Sequence, residues 1–79
     1  MTVTGPEWLR RFAAELGLPE PIDAEIESLL ALAGTAAHAS ERTAAPLSCW
    51  LVGKAGLEPA AARAVADQLA AEVGEEPGS

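Results

Sequence analysis

The chain is 79 residues long, room for one domain at most, and carries five Lys and Arg against twelve Asp and Glu, a formal net charge of −7. That balance excludes the broad basic stripe that grips nucleic acid and disfavours docking on anionic membrane surfaces. A single cysteine excludes an internal disulfide, and one Cys with one His falls short of the usual structural zinc set, so neither a metal nor a cofactor is expected.

Alanine is abundant and Tyr is absent, which favours helices over strands. Glycine and proline then divide the chain into four helical segments, near 5–17, 23–40, 45–56 and 58–74. The first begins with a capping-box pattern, Thr4-Gly-Pro-Glu7, with Pro6 in the first turn. Trp8, Leu9, Phe12, Ala13 and Leu16 follow at helical spacing. Gly17-Leu18 reads as a left-handed stop, and Pro19 and Pro21 enforce an extended link.

Asp23 is the expected cap of the second segment, whose stripe is Ile26, Leu29, Leu30, Ala33 and Ala37. Its small residues Gly34, Ala36 and Ala37 would let another helix approach closely. Thr43 and Pro46 open the third segment, with Leu47, Trp50 and Leu51 as its apolar face. Gly53 inside it costs about 1 kcal/mol relative to Ala, which suggests a close contact. Gly56-Leu57 repeats the stop signal of Gly17-Leu18. The fourth segment carries Ala62, Val65, Ala66, Leu69 and Val73, with Arg63 and Asp67 four apart on its solvated side.

Short links favour antiparallel neighbours, so the expected fold is all-α, a compact four-helix up-and-down bundle. Residues 1–74 form its single domain and 75–79 a flexible acidic tail. No run approaches the roughly 18 apolar residues of a membrane span. The opening MTVTGPEWLRR lacks the pattern of a signal peptide, and a lone thiol fits the cytoplasm.

The chemistry concentrates in His38-Ala-Ser-Glu-Arg-Thr-Ala-Ala-Pro-Leu-Ser-Cys-Trp50, at the joint between segments two and three. His38 beside Cys49 or Ser48, with Glu41 as orienting acid, would make a small enzyme or cofactor binder if the imidazole lay within about 3 Å of the nucleophile. No nucleophile-elbow or phosphate-loop pattern accompanies them. Turn and cap roles for Ser40 and Thr43, a surface role for Ser48 and a packed Cys49 fit the positions better. No catalytic residue is therefore assigned. His38, Arg42 and Trp50 remain as candidate interaction residues. Trp8 and Trp50 suit core anchors, and Trp also suits interface hot spots. There is more apolar helix face here than so small a bundle can bury, which implies a protein partner or a homo-oligomer.

The joint also resembles a small uncharacterised helical domain of high-GC bacteria. The resemblance rests on Leu29-Leu30-Ala-Leu-Ala33, Ala37-His38, Arg42, Ala44-Ala45-Pro46-Leu47-Ser48 and Trp50-Leu51-Val-Gly53, with Trp8-Leu9 and Leu16-Gly17-Leu18 in support. It spans roughly residues 7 to 73. Such domains are similar to ones found beside or fused to MobA-like nucleotidyltransferases, which attach guanine nucleotide to molybdopterin. The resemblance implies a non-catalytic accessory domain in molybdenum-cofactor biosynthesis, with a MobA-like enzyme as partner. It defines no catalytic residues to carry over.

Overall fold

The computed structural model describes residues 2–74. The expected tail, 75–79, lies outside the described residues. Four helices and, among the described residues, no strands make an all-α bundle: α1 (Gly5–Glu15), α2 (Asp23–Ala39), α3 (Ala44–Ala55) and α4 (Pro59–Gly74). The boundaries lie within two residues of those expected.

Local chemistry explains the ends. The Glu7 N–H donates to Thr4 Oγ1 at 3.2 Å, so Thr4 caps α1 as expected. The Glu7 carboxylate does not complete the capping box. It pairs instead with Arg10 at 3.2 Å and Arg11 at 2.9 Å along the exposed helix face. The cap of α2 is Ile22 rather than Asp23, which is already the first helical residue. The Ile22 N–H donates to Glu25 Oε1 at 2.8 Å, so the carboxylate three residues on satisfies the N–H of the cap residue, while the Ile22 side chain accepts nothing from the first turn. Thr43 precedes α3 but its hydroxyl donates to Glu41 Oε1 at 3.0 Å, which ties the turn together instead of capping the helix.

α1 and α3 stop alike. Gly17 and Gly56 adopt φ of +72° and +70°. Leu18 and Leu57 donate back to Ala13 and Val52, and Gly17 and Gly56 donate to Ala14 and Gly53. Both are Schellman motifs, as the Gly-Leu pairs predicted.

α2 is the organising element. It packs against α3 on one flank and α4 on the other, whereas α1 packs extensively on none of the three. Residues that face one another across shared cavities give the directions. Leu32 lies opposite Ala62 and Ala39 opposite Val73, so α2 and α4 run parallel. Leu32 faces Ala55 and Ser40 faces Ala44, so α3 runs antiparallel to α2. The Thr35 hydroxyl donates to Asp67 Oδ1 at 3.1 Å and joins α2 to α4. Asp67 thus bonds across the bundle rather than pairing with Arg63 as its spacing predicted.

Burial departs most from expectation. Among the described residues only Ala13, Leu32 and Ala62 are buried, and Leu32 is the one large side chain among them. The stripes meant to face a core are largely in solvent. Trp8, expected as a core anchor, is 57% exposed, and Trp50, read both as a core anchor and as a candidate interaction residue, is 62% exposed. Phe12, Leu30, Leu47, Leu51, Val65 and Leu69 are exposed too. The cause is the arrangement itself. Two helices flanking α2 leave the outer sides of α3 and α4 uncovered, and α1 does not cover them.

Gly53 is likewise not explained by a close contact, because a Cβ placed there meets nothing within 4 Å. Gly53→Ala should therefore stabilise the fold by about 0.5–1 kcal/mol, seen as a higher urea midpoint.

Candidate functional site

His38 sits in the last turn of α2, Arg42 in the turn before α3, and Trp50 in the middle of α3. All three are exposed. His38 stands at the C-terminal end of α2. The Trp50 ring lies under the Lys54 ammonium at 5.6 Å, a cation–π contact one turn apart. Leu47, one turn earlier on α3 and 63% exposed, extends the same apolar face. α1 presents a second aromatic face, where Trp8 and Phe12 stack with centroids 5.8 Å apart.

The structure places His38 and Ser48 on different cavities. His38 lines an open cleft of about 960 Å³ between α2 and α4, together with Thr35 and Asp67. Ser48 lines two other cavities, on the α3 side of the bundle. No hydrogen bond joins His38 to Ser48, Cys49 or Glu41 among the described residues. Cys49 is half-buried, and desolvation pushes its thiol pKa upward. That is the opposite of what a nucleophilic thiolate needs. Cys49 should alkylate more slowly than free cysteine at the same pH, and urea should remove the difference. Stability held by the neutral thiol is full below the ordinary thiol range and is lost as pH rises through the elevated folded value.

Among the described residues, no three His, Cys, Asp or Glu side chains come together to hold a metal. No described helix is long and apolar enough to cross a membrane.

The sequence did not reveal the groove between α3 and α4. Its floor is Leu32 and Ala36 of α2, with Leu51 and Ala44 on one wall and Val65 and Leu69 on the other. Two connected hollows of about 240 and 360 Å³ mark its length. The available signal was Ala62, Ala66 and Ala70, a row of small residues four apart on α4.

A three-helix body with a loosely attached fourth helix and open apolar faces defines a small all-α domain with surface to spare. The chain belongs to a family described as a domain of unknown function (DUF6457), whose model matches residues 2–77. No curated protein and no solved structure matches it.

Proposed function

We propose that this domain is a non-catalytic accessory module that recognises a protein partner through the α2–α3 joint and the Trp50 face of α3. The observation that carries the reading is Trp50 itself. It is a large aromatic, 62% exposed, with exposed Leu47 and Lys54 one turn to either side of it on α3. Exposed tryptophan and arginine, here Trp50 on α3 and Arg42 in the turn before it, are the residue types that most often anchor protein interfaces. The acidic balance of the chain favours a partner with a basic rim. The sequence resemblance supports a MobA-like guanylyltransferase as that partner, and hence a supporting role in molybdenum-cofactor maturation.

Calorimetric titration of the domain against such an enzyme tests this. Trp50→Ala should weaken binding by about 2 kcal/mol, roughly 30-fold, and Arg42→Ala by less. Helical circular dichroism should be unchanged, since neither side chain is buried. Binding should also weaken as salt rises. Absence of binding, or binding indifferent to both substitutions, refutes the proposal.

A further inference from the structure

The chain carries an unpartnered amphipathic helix and an unpartnered helix-sized groove. α1 turns Trp8, Leu9, Phe12 and Leu16 to one side, and all four are exposed. Its opposite side is closed by the Glu7–Arg10 and Glu7–Arg11 pairs. The groove lies between α3 and α4, which each pack on α2 and do not pack extensively on one another. No α1 residue lines it. We propose that the groove receives α1 from a second copy of this chain, and that the exchange is reciprocal.

Size agrees. α1 has 11 residues and spans about 16 Å at 1.5 Å per residue. The groove follows α4 from Ala62 to Val73, also about 16 Å. Shape agrees as well, because the helix offers Trp8 and Phe12 and the groove offers Ala36, Ala66 and Ala70. Large side chains entering a row of alanines allow close helix approach. Charge agrees, since no ionisable side chain lines either hollow of the groove. Two chains of net charge −7 can thus meet there without apposing carboxylates in the contact.

The exposed area is large enough for an interface with a second copy. A folded monomer of 8.1 kDa exposes roughly 4,500 Å² by the scaling of surface with mass. This chain exposes 6218 Å². The surplus exceeds the about 800 Å² per partner of a standard interface. In a reciprocal exchange each chain buries both a donor face and a receptor groove, so both unpartnered surfaces are covered at once. Such a contact is isologous and closes on itself as a two-fold dimer. The segment Leu18–Ile22, without regular secondary structure and with prolines at 19 and 21, is the arm that carries α1 across. The dimer goes beyond the accessory role and stands independently of it, because Trp50 does not line the groove.

The test is sedimentation equilibrium over a dilution series of three chains. The unaltered chain should reach twice 8.1 kDa as it is concentrated. Phe12→Glu spoils the donor and Leu69→Glu spoils the receptor, and each alone should stay monomeric with helical circular dichroism retained. An equimolar mixture of the two should regain a dimer, because one intact helix still meets one intact groove. An unaltered chain that is monomeric throughout overturns the proposal. So does a mixture that fails to recover, which would mark contact between like faces. Should either variant lose its helices, Trp8 fluorescence in a Trp50→Phe chain gives the answer. A blue shift on concentration is expected, and constant emission refutes the exchange. Salt separates this result from the guanylyltransferase reading. Self-association of like-charged chains tightens as salt rises, whereas capture by a basic partner loosens.

Discussion

Replacing Leu32 with alanine should cost about 2–5 kcal/mol, the range for emptying a buried leucine site, and leave much of the population unfolded. Leu32 is 2% exposed and is the only large side chain among the buried residues described. It sits on α2 at the floor of the groove, opposite Ala62 of α4 and Ala55 of α3. Removing it takes away the large buried side chain on the floor between the two flanking helices. Small domains hold only a few kcal/mol in reserve, so the loss is comparable to the whole. Urea unfolding monitored by circular dichroism should place the midpoint far lower with a similar slope. Leu30→Ala, two residues away at 68% exposure, should change the midpoint little and serves as the control.

Gly56→Val should destabilise by about 1–2 kcal/mol, because a β-branched residue is forced to a left-handed conformation. Gly56 holds φ +70° at the end of α3. The donations from Gly56 to Gly53 and from Leu57 to Val52 depend on that turn. A Cβ placed on Gly56 meets nothing within 4 Å, so the penalty comes chiefly from the backbone. Gly53→Ala, three residues earlier on the same helix, should shift stability the other way. Opposite signs from two glycines in one helix, read as urea midpoints, would separate conformational strain from packing.

Much of the fold was legible in the sequence because it was written in local chemistry. Thr4, Pro6, Gly17, Gly56 and Pro59 mark helix ends through backbone geometry that acts within a few residues. Periodicity could mark which residues of α1 and α4 share a face. It could not say whether that face meets another helix, since Phe12 facing a neighbour and Phe12 facing water read alike. This is why Trp8 was expected inside and is found outside, and why the same periodicity left Trp50 open to both a core and an interface role. The exposure of His38 and Arg42 followed from their place at a helix end and in a turn. The groove did not follow, because Ala36, Ala66 and Leu69 come from helices whose juxtaposition is a tertiary fact. Asp67 shows the same limit. Its spacing from Arg63 was a local signal, but Thr35 from another helix took its oxygen.

The slight attachment of α1 has a consequence for folding order. With no extensive packing on the rest of the chain, α1 draws little protection from the unit around α2. Amide protons of α1 should exchange with solvent near the rate of local fraying in dilute solution, while those of α2 exchange only on global opening. An isolated helix of 11 residues is marginal in water, so α1 gains lasting order only by docking on something. Three helices then make the first cooperative unit. If α1 docks on a second copy, as proposed above, the order of the fourth becomes a property of concentration as much as of sequence.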